Sequence, residues 1–478
     1  MSIVGQLRWA APHAPSSIPD VQLATEQPSE CYQAPMGIAA INPLRNTSMW
    51  KRSVTTSEDC LFLNVYVPGD QILPHTFGGL PVIVWIHGGG YVGGAASMYN
   101  GADLIVDSNH GVIVVIIQYR LGLFGFLPGE AVKQGGALNA GLLDQNYALQ
   151  WIQSHIATFG GDPTQVTIWG ESAGAGSVLQ HLVAHGGNTQ PPLFRAAMTS
   201  STFLPSQYDY NDSVPELLYS EVVNGTGCGA SSDTLSCLRD ADVSALETLN
   251  YNINLAGFYG TFVFVPVVDG TFIIERPTVT LSKGHLNGEA LLAVTNANEG
   301  TEFVNQSMTL DISEYILQLF PNLQRSQAAL ATPLYQHLGT NVEQANLAAG
   351  ESFLVCPTYY LLEAFNGNAW KGEFAIPPAL HAFDLAYYFT SFGPPYQNQD
   401  FITAFSNGFM ALAVAMDPNA RLNDGDITPA WDTWGSEYAE MVFNKTVSDV
   451  PDIYAHPTDS ALLDRCRYWR SVTAWTAQ

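Results

Sequence analysis

The chain has 478 residues, 47% of them hydrophobic and 13% charged, which is enough apolar material for a large core and too little compositional bias for a disordered segment. Its 17 basic and 43 acidic residues leave a formal charge of −26, which repels phosphate backbones and anionic lipid surfaces and argues against nucleic acid as a partner. The longest apolar runs, 80–86 and 112–117, are too short to span a bilayer and read as buried parallel strands.

In chain order, the first residues carry no apolar h-region, so no signal peptide is present as written. Six cysteines and five N-x-S/T sequons, at Asn46, Asn211, Asn224, Asn305 and Asn444, nevertheless fit an oxidising, glycosylating secretory route and an extracellular protein. The C-terminus carries neither a retention signal nor a hydrophobic tail for a lipid anchor. Residues 1–30 are rich in Pro, Ala and Ser and read as irregular. Cys31 and Cys60 bracket a segment with Met36, Ile38, Ile41, Leu44, Met49 and Trp50, which suits either a cover over an apolar pocket or ordinary core.

An alternating strand over 61–68 precedes the buried strand that ends in His87-Gly88-Gly89-Gly90-Tyr91. Glycines in such a place let backbone N–H groups approach a substrate oxygen closely, and Gly89 and Gly90 are the candidates for that role. A strand around 112–118, a helical stretch near 144–155 and a turn over 159–163 follow. This strand–helix alternation predicts a mainly parallel sheet with helices on both faces. Beyond Ser200 the texture turns to polar loops and helical patches, and sheet texture returns at 290–295. No linker and no internal repeat interrupts 1–478, so one domain is expected.

The most informative stretch is Gly170-Glu171-Ser172-Ala173-Gly174, between the apolar run 166–169 and the small-residue run 175–179. A bare G-x-S-x-G arises by chance in a glycine-rich chain; between a strand and a helix it describes a nucleophile elbow. Ser172 is then the nucleophile candidate, and the N–H of Ala173, at a helix start, points where an oxyanion would form. A serine hydroxyl needs a histidine base and a carboxylate to fix the tautomer, in the chain order Ser, acid, His. Glu299, directly after the strand at 290–295, is the chosen acid, with Asp269 in Val-Asp-Gly as runner-up. Of the three histidines downstream of Glu299, His381 lies in a proline-bounded loop at the mouth of an apolar stretch. His337 falls in a helical pattern and His456 in a polar proline loop, both reading as surface positions. Asp384 reads as a local cap or a support for its neighbours.

These residues resemble the type-B carboxylesterase/lipase family, the α/β-hydrolases that include cholinesterases and microbial lipases. The resemblance rests on 57–65, His87-Gly88-Gly89-Gly90, Tyr119-Arg120-Leu121-Gly122, 139–145 and 159–177, with later echoes at 298–300, His381 with Asp384, 417–419 and 467–469. It implies an α/β-hydrolase fold and a triad of Ser172, Glu299 and His381, with an oxyanion hole of Gly89, Gly90 and Ala173. It implies disulfides Cys31–Cys60 and Cys228–Cys237, which leaves Cys356 with Cys466. It implies a serine esterase working through an acyl-enzyme on small-molecule or lipid esters, with no cofactor, no metal and no stable membrane anchor. A lipase or sterol esterase, a cholinesterase-like enzyme and a non-catalytic adhesion-type relative are the alternatives. Val4-Gly5-Gln6-Leu7-Arg8-Trp9 resembles a point some way inside a typical family member, so the usual first strands are expected to be missing. Trp50 stands ten residues before Cys60, an offset at which cholinesterases carry a tryptophan facing choline; an apolar flap residue is the reading preferred here.

Overall fold

The computed structural model describes residues 4–15, 19–42, 56–69 and 78–478. Trp50 and Asn46 lie outside the described residues, as do Leu44 and Met49 of the expected flap. The two long apolar runs are neighbouring strands of a nine-stranded sheet: β1 (Leu63–Tyr66), β2 (Leu80–Ile86), β3 (Ile113–Ile117), β4 (Gly161–Glu171), β5 (Ala196–Ser200), β6 (Ala290–Asn296), β7 (Ala369–Phe374), β8 (Ala439–Lys445) and β9 (Pro451–Pro457). Their spatial order is β1-β3-β2-β4-β5-β6-β7-β8-β9. From β3 to β8 every pairing is parallel, and the edge strands β1 and β9 run antiparallel to their neighbours.

Strands whose two faces are both covered by helices have no solvent side, so their sequence runs apolar without alternation. The pleat then divides each run between two cores. Val82, Val84 and Ile86 join Val115, Ile168 and Leu291 on one face, while Ile83 and Trp85 join Ile116, Trp169 and Leu292 on the other. Helix Gln399–Ala415 supplies Phe405 and Phe409 to the second core, Phe409 stacking on Trp169 at 4.7 Å. Each fully buried aliphatic or aromatic side chain contributes about 1.5–3 kcal/mol.

Several boundaries differ from the sequence reading. The helix before the elbow begins at Ala140, and β4 already starts at Gly161, inside the expected turn. His456 lies on β9, an exposed edge strand, where a loop was expected. The three disulfides are Cys31–Cys60, Cys228–Cys237 and Cys356–Cys466, the last tying helix Cys356–Ala364 to helix Ser460–Ser471. Among the described residues no helix is long and apolar enough to cross a membrane.

Candidate active site

Parallel strands bring their C-terminal ends to one edge of the sheet, and the loops leaving that edge carry the site. β4 ends at Glu171, and helix Ala173–Gly187 begins two residues later, so Ser172 makes the whole turn with φ +56° and ψ −123°. For a residue with a Cβ this conformation costs on the order of 1–3 kcal/mol, held in place by its surroundings. The turn is held by hydrogen bonds from Ser172 N–H to the Ser200 carbonyl (2.9 Å) and from Gly176 N–H to the Ser172 carbonyl (2.8 Å). Side chains at Gly170 or Gly174 would overlap backbone, of Gly174 and Ile86 respectively, which explains both glycines of the motif.

The loop after β2 packs against this elbow. A Cβ on Gly88 would stand 2.6 Å from Glu171 Oε2 and 3.1 Å from Ser172 Cβ. Gly89 and Gly90 both have positive φ, +103° and +63°, and a Cβ on Gly90 would overlap the ring of Phe262. The N–H groups of Gly89, Gly90 and Ala173 enter no hydrogen bond with any described residue. Ala173 is the first residue of its helix, where N–H groups lack intrahelical acceptors. His87, at the head of the glycine run, is buried under Tyr119 with its pKa lowered to about 4 by that burial, which leaves it neutral.

Glu299 and His381 are brought together. His381 Nδ1 lies 2.6 Å from Glu299 Oε2. The other carboxylate oxygen accepts hydrogen bonds from Ser201 Oγ (2.6 Å) and Asn296 N–H (2.7 Å), so the buried Glu299 side chain is held at both oxygens. A backbone bridge joins the two loops: Asn298 pairs with Leu380, and Asn298 N–H donates to the Ala379 carbonyl at 2.9 Å. The second imidazole nitrogen, Nε2, lies 3.2 Å from Glu171 Oε1. No hydrogen bond joins it to Ser172 Oγ, which belongs to the residue next to Glu171; such bonds are often loose before substrate binds. Phe303 covers the imidazole edge-on at 4.9 Å.

Burial alone would lower the His381 pKa, but the carboxylates of Glu171, Glu299 and Asp384 outweigh it and raise it to about 9. Burial raises Glu171 to about 8, opposed by His381. Asp384 is buried, accepts from Asn296 Nδ2 (2.9 Å) and Tyr388 OH (2.8 Å), and is raised by burial. It therefore supports the Asn296 side chain and does not touch His381 by hydrogen bond, in keeping with the supporting role read from sequence.

Asp269, the runner-up acid, is elsewhere. Its Oδ1 accepts from the N–H groups of Thr271 (2.6 Å) and Phe272 (2.8 Å), and Oδ2 from Asn139 Nδ2 (2.5 Å), so it closes a turn. His337 and His456 are exposed. Of the sequons, Asn211 and Asn224 are exposed while Asn305 and Asn444 are half-buried. Sequence reasoning passed over Glu171, Ser201 and Asn296. The first sits inside the motif beside Ser172; Ser201 meets Glu299 across the β5–β6 register, which a sequence does not display, while Asn296 meets it three residues along the chain through a backbone N–H, which leaves no mark in residue type.

This elbow, glycine run and Glu–His pair fit acyl-transfer chemistry, and comparison with known sequences agrees: the sequence model of the carboxylesterase family matches residues 2–372. The chain belongs to the carboxylesterase family. It is 33% identical over 446 residues to carboxylesterase patB of Aspergillus clavatus, covering 88% of this chain and 77% of that protein. It is 34% identical over 339 residues to secreted lipase 1 of Botryotinia fuckeliana, covering 66% of this chain and 58% of that lipase, less than two thirds of its length. The crystal structure of EstA from Aspergillus niger superposes with a TM-score of 0.84 at 29% identity, covering 100% of this chain and 93% of that one. The carboxylesterase-family chain thus has the α/β-hydrolase fold expected from its sequence.

Proposed function

We propose that this chain hydrolyses carboxylic esters through an acyl-enzyme on Ser172, with Glu299 and His381 completing the triad. The observation that carries the reading is the 2.6 Å contact between His381 Nδ1 and Glu299 Oε2 beside a serine held at positive φ. Glu299 keeps the proton on Nδ1, which leaves the Nε2 lone pair as the base. With ester bound, Nε2 turns from Glu171 to take the Ser172 Oγ proton as Oγ attacks the carbonyl carbon. The negative charge that develops on the carbonyl oxygen is met by the unengaged N–H groups of Gly89, Gly90 and Ala173. Collapse expels the alcohol with the proton from Nε2. Water, deprotonated by the same nitrogen, then releases the acid and restores Ser172.

A cavity of about 510 Å³ behind Phe262 and Phe203, lined also by Phe126, Phe258 and Phe353, accepts an apolar acyl or alcohol moiety. Its size favours esters with an extended apolar chain, a reading supported by the secreted lipases among the relatives. The three disulfides and these secreted relatives support an extracellular location. Ser172→Ala should lower turnover of p-nitrophenyl esters by about 10⁵- to 10⁶-fold with an unchanged melting profile. Substantial turnover by the folded variant would refute the assignment.

A further inference from the structure

We infer that Gln478 sets the width of the apolar cavity, and with it the preferred chain length, by holding the backbone that carries Phe203 and Phe353. The inference rests on the reading that an ester chain enters this cavity.

Glutamine is rarely fully buried unless its hydrogen-bonding capacity is used. Gln478 is 1% exposed, and its amide is fully engaged. Nε2 donates to the carbonyls of Leu204 (2.7 Å) and Ser352 (2.9 Å), and Oε1 accepts from Thr476 Oγ1 (2.8 Å), which fixes the way the amide faces. The Leu204 N–H donates to the Phe353 carbonyl at 2.8 Å, so one backbone link and one side-chain amide join the same two segments.

Those segments need the link. Residues Glu351–Val355 form a π-helical turn, in which a carbonyl seeks the N–H five residues on. For Ser352 that residue is Pro357, which has none to give. Gln478 supplies the missing donor. Leu204 likewise belongs to the irregular stretch after β5, where no ladder partner is on offer.

The neighbours of the two bridged carbonyls are the rings in question. Phe203 and Phe353 meet edge-on, 5.9 Å apart, and both line the cavity. Phe353 also packs on Phe303 (5.3 Å), the ring that covers His381, and Phe203 packs on Phe262 (5.7 Å), the ring that meets Gly90. The two rings therefore stand where the cavity meets the reacting groups. Without the amide, two buried carbonyls lose their partner, the π-helical turn relaxes, and the gap between the rings changes. Gln478 is a positioning residue: it lies behind the wall and touches no reacting atom.

The test compares the full chain with Gln478→Ala and Phe353→Leu, alone and combined. Kinetics with p-nitrophenyl acetate and p-nitrophenyl decanoate are read beside calorimetric binding of decanoate, which reports on the cavity apart from the chemistry. Gln478→Ala should weaken decanoate binding about tenfold and lower kcat/KM for the decanoyl ester by a similar factor through KM, leaving acetyl-ester kcat within about twofold. The two substitutions should be non-additive, because both act on the same wall. Unchanged decanoate binding, an equal fall for both esters, or strict additivity would overturn the inference. Should Gln478→Ala fail to fold, Thr476→Ala keeps the donors but frees the amide to turn, and the same chain-length-dependent loss is expected at smaller size; its absence also overturns the inference. Loss of Ser172-dependent turnover with the binding effect intact would instead refute only the catalytic reading.

Discussion

Glu171 Oε1 and His381 Nε2 are 3.2 Å apart, so the nitrogen proposed to receive the serine proton rests against a carboxylate. The first consequence is electrostatic. Glu171 is the largest of the influences that lift the His381 pKa to about 9 against the effect of burial. A base must be neutral to accept a proton, so a raised pKa confines its competent form to the alkaline side. Glu171→Gln removes that carboxylate, lowers the His381 pKa, and should move the acidic limb of kcat/KM for p-nitrophenyl acetate to lower pH by about one pH unit. A limb that stays in place would show that Glu171 does not govern the base.

Glu299→Gln should lower kcat by a few orders of magnitude, about 10³- to 10⁴-fold, because a neutral amide cannot stabilise the imidazolium. Asp269→Asn should leave kcat nearly unchanged and act on stability, by about 1–3 kcal/mol, since Oδ1 alone accepts from Thr271 and Phe272 N–H groups. Chemical denaturation set beside kinetics separates the two; the reverse ranking would make Asp269 the acid.

Gly90→Ala meets two obstacles, the φ of +63° and the Phe262 ring. Accommodating the methyl displaces the N–H that the proposed mechanism offers to the oxyanion. A fall in kcat of about 10²- to 10³-fold is expected, with KM little changed, and equal losses for short and long acyl chains would tie it to the oxyanion and not to the cavity.

Replacing Cys356 and Cys466 together by serine opens a link across a sequence separation of 110. Loop entropy of that order contributes about 5 kcal/mol, so the thermal midpoint should fall by several degrees in calorimetry. Activity on acetyl esters at low temperature should persist. A midpoint within about a degree of the parent would show that helix packing alone holds the two helices together.

The parts legible in the sequence were those whose signal is local. β2 and β3 announce themselves as apolar runs because both faces are buried, and the elbow does so because Gly170 and Gly174 are required by overlap with neighbouring backbone. β7 was not legible. Its residues Lys371 and Glu373 look like a solvent-facing strand or loop, yet Lys371 is buried against Thr295 Oγ1 (2.9 Å) and Glu440 (3.2 Å), partners from β6 and β8 that only the register supplies. Ser201 was missed for the same reason, whereas Asn296 reaches Glu299 within three residues through its backbone N–H, which no side-chain type announces. The Trp50 alternative falls outside the described residues and stays a matter for choline-ester kinetics.

The end of β5 stands between the two groups of residues to which the proposed mechanism gives roles. On one side, the Ser200 carbonyl receives the N–H of Ser172; on the other, the Ser201 hydroxyl reaches Glu299, and the Ser201 N–H is bound to the Val294 carbonyl of β6. The proposed nucleophile and oxyanion donors thus belong to one half of the site, the proposed acid and base to the other, and this serine pair is the splice between them. An inserted or deleted residue at the splice would leave each half internally sound and the whole inert. Chimaeras of family members should therefore tolerate exchange points within the peripheral helices and fail when a junction shifts the spacing of Ser200 and Ser201.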